Sequence, residues 1–443
     1  MARLFVTGGR RLGGRVTAPP DKSIFHRALI LAALGDRRAR LTPLARGADN
    51  RATRSVLSAL GVRIEEDGDG LWVTGVGGPT GLKAPTGPLD CENSGTTMRM
   101  MAGVLAASAL DVTLTGDASL SQRPMGRLAP LIQLGAKLSG REVDGRLYPP
   151  LRVQGGPLKG GDFRLPIASA QVKSALLLAG LYAKGPTTVR EPARSRDHTE
   201  RLLLRLGIEL RELDDGALIL TPPLQPFGLD HYPVAPDFSS AAFLLAAAIL
   251  TGSDQVEVET GLNPTRTGLL EALVDFGAAP HVEHLGEAAG EPVGTVRVTG
   301  ALTAPAELSG ARVLRAIDEV PLLAALATQA PGLTRIRDAA ELRVKESDRL
   351  AATAALLRSF GAQVIEHPDG LDILGPTRLG AATLAPQPDH RLAMTAAVLG
   401  LAAPGTTVIE GAEVIDVSYP GFAAALAGLG AEVRWEPGPG GLV

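Results

Sequence analysis

Residues 131–138 read LIQLGAKL, and this short stretch decides the fold because the chain writes it six times. The other copies are LSALGVRI (57–64), LLRLGIEL (203–210), ALVDFGAAP (272–280), LLRSFGAQVI (356–365) and LAGLGAEVRW (426–435). Each joins a leucine-rich helix end to a glycine and then to strand-prone residues. A glycine just past an apolar periodic run is a helix C-terminal signal, because it enters the left-handed region without a Cβ penalty. The glycines are Gly61, Gly135, Gly207, Gly277, Gly361 and Gly430, at spacings of 74, 72, 70, 84 and 69.

A second helix type keeps the same rhythm. It opens on polar residues and continues as an alanine and leucine run: DKSIFHRALILAAL (21–34), NSGTTMRMMAGVLAA (93–107), ASAQVKSALLLAG (168–180), PDFSSAAFLLAAA (236–248), IDEVPLLAALA (317–327) and DHRLAMTAAVLG (389–400). These helices are apolar nearly all round, which predicts burial. Each repeat of about 70 residues then holds two helices and several strands. The period exceeds the usual 20–50 residues of solenoids. With 443 residues, too many for one core, the reading is two compact domains of three repeats.

The polar openings are read as N-caps at Asp21, Ser94, Ser169, Asp237, Asp318 and Asp389. Capping alone does not account for the cations beside several of them: Lys22 and Arg27, Arg99, and Arg391. A cation near a helix N-terminus is unfavourable by the dipole argument unless an anion is bound there. If the repeats pack with pseudo-threefold symmetry, the buried helices run parallel and their N-termini share one face. Two such faces across a cleft would attract anions strongly. No GxxxxGK[ST] loop is present, so phosphates would be held by side chains and helix ends.

Composition narrows the function classes. Net charge is -3, from 44 basic and 47 acidic residues, which favours neither nucleic acid nor a membrane surface. Aromatics at 3% give few rings for stacking bases. The opening MARLFVTGGRRLGG lacks a signal-peptide core. No apolar run approaches the roughly 20 residues of a membrane helix. The single cysteine, Cys91, is read as a buried filler and suits a reducing cytoplasm. His281 and His284 are read as an exposed pair, Ser347 as an N-cap, and no metal site is expected.

At DKSIFHRALILAA, CENSGTTMR, SQRPMGRL, LRVKESDRL and PDHRLAM the chain resembles the EPSP synthases, 3-phosphoshikimate 1-carboxyvinyltransferases. The resemblance runs from Lys22 to SYPGF near residue 420. It implies an α/β fold (α+β by some schemes), an inside-out α/β barrel: two similar domains, each of three βαβαββ units with buried parallel helices. The first lobe would span 20–236 and the second 1–19 and 237–443, with crossings near Pro19–Pro20 and Ala235–Pro236 and the site between lobes. The implied partners are shikimate 3-phosphate, phosphoenolpyruvate and the inhibitor glyphosate. The implied molecule is a cytoplasmic monomer without cofactor.

Residue by residue, the resemblance assigns Lys22, Ser23, Arg27, Ser169, Ala170, Gln171, Arg196, Asp318 and Lys345 to shikimate 3-phosphate. It assigns Lys22, Asn93, Gly95, Thr96, Arg123, Gln171, Arg349 and Arg391 to phosphoenolpyruvate. Asp318 resembles the base for the 5-hydroxyl and Glu346 the acid for the methylene carbon, with Lys22 as a further or alternative donor. Glu346 stands beside Lys345 and near Arg349, which favours its ionised form; the expectation is that bound anions load its proton. Ala170 replaces a serine found in many members, Glu341 an asparagine, and Val417–Ser418 a phosphate-binding lysine, so a contact is in doubt there. Gly95 leaves room for glyphosate. The rival readings are UDP-N-acetylglucosamine enolpyruvyl transferase, disfavoured by Lys22-Ser23 and by SLSQRPMGR without cysteine, and a non-catalytic anion-binding repeat scaffold, which has no reason to keep Asp318 and Glu346 with RVKESDRL.

Overall fold

The computed structural model describes residues 1–385 and 387–438. All six repeats fold as read. The glycines at 61, 135, 207, 277, 361 and 430 have φ between +73° and +125°, the region only glycine enters without strain. Strands follow each of them: Arg63–Asp67, Lys137–Val143, Leu210–Glu212, Ala279–Ala288, Gln363–His367 and Glu432–Glu436.

Among the described residues the strands form six four-stranded sheets. In the second repeat the order is Leu89–Asp90, Asp111–Thr115, Arg146–Gln154, Lys137–Val143, with one parallel and two antiparallel pairings. A buried helix crosses over between the parallel strands and an outer helix precedes the hairpin, which is a βαβαββ unit. Three sheets are completed by a strand distant in sequence. His231–Pro233 joins Arg38–Thr42 in parallel. Gly14–Thr17 joins Val256–Gly261 in parallel. Arg3–Thr7 lies between Thr406–Glu410 and Glu432–Glu436, with Val6 opposite Thr407 and Val433.

The chain divides into two compact lobes. The first lobe is Pro20–Ala235 with Ala288–Glu291; the second is Met1–Pro19, Pro236–Glu287 and the chain from Pro292. In the first lobe the buried helices are Lys22–Leu34, Gly95–Ala106 and Ala170–Gly180. In the second they are Phe238–Leu250, Val320–Ala327 and His390–Ala402. Ile24–Leu34 and Phe238–Ile249 are buried without a break, so these helices show no solvent face. Gly103 permits close packing of two buried helices in the first lobe, since a Cβ there would strike the Ala175 carbonyl of the neighbouring helix.

Five of the six expected N-caps stand at their helix starts: Asp21, Ser94, Ser169, Asp237 and Asp389, each accepting a backbone N–H. Asp318 does not. The helix begins at Val320, with Pro321 in its first turn, and Glu319 holds the cap position without a side-chain capping bond. Proline is well placed there because the first N–H groups have no helical partner. Ser347 is not a cap either. Asp348 accepts from Ala351 N at 3.1 Å and caps the outer helix Arg349–Ser359.

Candidate active site

In the first lobe the three buried helices begin side by side, and their first turns are knit together by polar side chains. Gln171 donates from Nε2 to Thr96 Oγ1 at 2.8 Å and accepts from Arg99 Nη1 at 2.7 Å. Thr97 Oγ1 lies 2.7 Å from Thr53 Oγ1 and also donates to Asp49 O. Asp49 holds the Lys22 ammonium at 2.7 Å, and Asn50 donates to Lys22 O. Three positive helix ends therefore share one face with Lys22, Arg99 and Arg123, an arrangement that favours anions.

Arg27 is buried: Nε donates to Thr199 Oγ1 at 2.7 Å, Nη2 to Ser174 Oγ at 2.9 Å and Nη1 to Ser23 O at 2.8 Å. Arg123 is aimed by Asn93 through its carbonyl at 3.1 Å and Oδ1 at 2.5 Å, and by Ser119 Oγ at 3.0 Å. Asp117 orients Asn93 in turn. A Cβ on Gly95 would lie 2.7 Å from Arg99 Nη1 and 3.5 Å from Arg123 Nη1, so glycine lets both guanidiniums crowd the helix start. Ser23, Thr96, Ser169, Ala170, Gln171 and Arg196 are half-buried.

The second lobe gathers the remaining residues around Arg349, which is 1% exposed. Its Nη1 donates to Asp318 Oδ1 at 3.1 Å, Nη2 pairs with Glu346 Oε2 at 2.7 Å, and Nε donates to Asp389 Oδ2 at 2.7 Å. Arg391 reaches Asp318 Oδ2 at 3.6 Å and Glu319 Oε1 at 3.7 Å. Ser347 gives its hydroxyl to Asp389. Lys345 is half-buried, and desolvation pulls its ammonium below the usual lysine value against the raising influence of Asp318, Glu341 and Glu346. Arg349 is therefore no solvated surface residue: one buried guanidinium serves three carboxylates.

Each half contains a pairing that no motif announced. Asp49 pairs with Lys22 from 27 positions away, and Asp389, read only as a cap, also anchors Arg349. Other expectations have simple outcomes. Cys91 is buried and burial pushes its thiol up. His281 and His284 are exposed, and His281 Nε2 meets Thr299 Oγ1. Among the described residues no helix is long and apolar enough to cross a membrane.

The chain matches the family model of EPSP synthase (3-phosphoshikimate 1-carboxyvinyltransferase) over residues 6–426. It is 47% identical over 429 residues to the 3-phosphoshikimate 1-carboxyvinyltransferase of Desulforudis audaxviator, covering 96% of this chain and 99% of that one. It is 48% identical over 426 residues to the protein of the same name from Gloeobacter violaceus, covering 95% and 98%. Among solved structures, the EPSP synthase of Acinetobacter baumannii superposes with a TM-score of 0.84 at 36% identity, over 99% of this chain and all of that one. The enolpyruvyl transferase NikO of Streptomyces tendae shares the fold, with a TM-score of 0.77 at 18% identity over 98% of each chain.

Proposed function

The chain belongs to the EPSP synthase family, whose members transfer the enolpyruvyl group of phosphoenolpyruvate to the 5-hydroxyl of shikimate 3-phosphate, and from that premise we propose how its residues divide the reaction. The chain carries out this transfer and releases phosphate. The 5-hydroxyl oxygen bonds to C2 of phosphoenolpyruvate while C3 takes a proton. The tetrahedral intermediate then loses a proton from C3 as the C2–O bond to phosphate breaks.

Shikimate 3-phosphate is held by Lys22, Ser23, Arg27, Ser169, Ala170, Gln171 and Arg196, with Asp318 and Lys345 from the second lobe. Phosphoenolpyruvate is held by Lys22, Asn93, Gly95, Thr96, Arg123 and Gln171, with Arg349 and Arg391. Both sets act on one pair of substrates, so cations and helix ends offset the repulsion between two anions. Charge-assisted hydrogen bonds contribute about 1.5–3 kcal/mol each. This is catalysis by positioning and electrostatics with general acid–base transfer. The working form is a cytoplasmic monomer; sedimentation velocity at assay concentration should give one species of 45.8 kDa.

Asp318 acts as base toward the 5-hydroxyl and Glu346 as acid toward the methylene carbon, with Lys22 as a further donor. The supporting observation is that Arg349 holds both carboxylates, at 3.1 and 2.7 Å. A substrate anion that takes Arg349 displaces Glu346 from its cation, and a carboxylate that loses a cation gains proton affinity. Binding thereby loads the acid. The Glu346 carboxyl resonance, titrated in free and ligand-saturated enzyme, should move to higher pH on saturation; identical titrations remove the loading step. A phosphate-release assay should respond to shikimate 3-phosphate and not to UDP-N-acetylglucosamine as acceptor.

A further inference from the structure

Lys173 lies in the first turn of the Ala170–Gly180 helix, 1% exposed, with no part in the site described above. Its ammonium pairs with Glu191 Oε2 at 2.8 Å and Glu200 Oε1 at 2.6 Å, and it donates to Ser195 O at 3.4 Å. Glu191 uses its other oxygen to accept Ser169 N at 2.9 Å. Its Oε2 also accepts the Ser195 hydroxyl at 2.8 Å. One carboxylate therefore ties the start of the Ala170 helix to the loop that carries Arg196. Glu200 extends the tie to the His198–Arg205 helix, whose Thr199 holds Arg27.

A buried lysine between two glutamates is a poor device for stability alone. Its desolvation cost rivals the Coulomb gain, and apolar side chains of similar size often serve as well. What such a triad does supply is a fixed geometry between the segments it joins, added here to the Ser174–Thr199 contact at 2.6 Å. The segments tied here are those carrying Ser169, Arg196 and, through Thr199, Arg27.

We propose that Glu191, held in place by Lys173, is a positioning residue for shikimate 3-phosphate: it sets the distance between the Ser169 helix start and Arg196 without touching the substrate. This rests on the assignment of Ser169 and Arg196 to that ligand. Both carboxylates raise the pKa of Lys173 against its desolvation, while burial pushes the Glu200 carboxyl up. A pocket of about 440 Å³ opens onto the triad, lined by Lys173, Glu191 and Glu200 with Arg194, Leu204 and Leu218 among others.

The test compares steady-state kinetics of Glu191→Gln, Lys173→Arg, Lys173→Ala and Arg196→Ala enzymes. Glu191→Gln should raise KM for shikimate 3-phosphate about tenfold, as expected for a lost charged hydrogen bond. Its kcat and its KM for phosphoenolpyruvate should change less than about threefold, and its thermal midpoint little. Lys173→Arg should keep most of the affinity. Lys173→Ala should lose it, and methylammonium should restore it. The proposal is overturned by an unchanged KM in Glu191→Gln, by a loss of active fraction and thermal stability at normal KM, or by a Lys173→Ala enzyme that methylammonium leaves unaltered. Arg196→Ala separates the two levels. If it too leaves KM for shikimate 3-phosphate unchanged, the ligand assignment has failed; if it raises KM while Glu191→Gln does not, only the tie has failed.

Discussion

Arg349 shares one guanidinium among the proposed base, the proposed acid and a helix cap, and the residue-scale predictions start there. Asp318→Asn and Glu346→Gln should each lower kcat by about 10²–10⁴-fold, the usual worth of a general acid or base, with smaller effects on either KM; stopped-flow phosphate release would measure it. Lys345 offers a trade-off. Desolvation depresses its folded-state pKa, so its charge destabilises the native state, and stability should rise with pH between that depressed value and the ordinary 10.5. Lys345→Met should therefore raise the thermal midpoint of the free enzyme while weakening shikimate 3-phosphate binding at least about tenfold. His26 acts at lower pH. Burial, then Lys22 and Arg27, hold its ring well below 6.5, and it sits 2.7 Å from Thr53 Oγ1. The unfolded chain takes up the proton first, so stability is lost as pH falls below 6.5. Urea midpoints from pH 7 to 5 should fall, and His26→Gln should flatten that slope. The cations of both halves were readable because they stand inside motifs. Asp49 was not: an acid in the first turn of an outer helix is what the helix dipole favours anyway, so it carries no mark of its pairing with Lys22.

At the scale of elements, helix ends carry the information. The six glycines and five of the six caps were legible because backbone geometry at a helix terminus admits few residue types. The exception is instructive. Pro321 starts its helix one residue later than the acid-first pattern suggested, which leaves Asp318 outside the cap position and facing two arginines. Asp389 does both jobs, accepting Arg391 N at 3.0 Å and bonding Arg349. Asp389→Ala should thus cost about 3–5 kcal/mol in urea unfolding, since it strips a buried arginine of a partner and a helix of its cap. Asp389→Asn keeps the cap, so it should lose clearly less stability yet still raise KM for phosphoenolpyruvate. Equal destabilisation by both variants would show that the cap contributes little.

At the scale of the molecule, the repeat count was legible, whereas the strand exchange was reached only through the resemblance. RLFVT reads as any strand, and its partners lie some 400 residues away, beyond any periodicity. The exchange has an unequal effect on the lobes. All three sheets of the first lobe come from 20–235. The second lobe needs Arg3–Thr7 as an inner strand of one sheet and Gly14–Thr17 as an edge of another. A fragment of residues 20–235 should therefore melt cooperatively on its own, although it forgoes Glu291, the partner of His198 at 2.7 Å. A fragment starting at 236 should stay unfolded until residues 1–19 are supplied, as followed by circular dichroism.

The placement of Arg3–Thr7 also dictates an order of events during translation. The ribosome makes this strand among the first and its neighbour at 432–436 among the last, on the order of half a minute apart at usual elongation rates. The sheets at 20–235 can close as they emerge. The lobe bearing Asp318, Glu346 and Arg349 must wait for nearly the whole message, so a polypeptide cut short before residue 432 leaves the ribosome with one closed lobe and the proposed acid–base pair not in place.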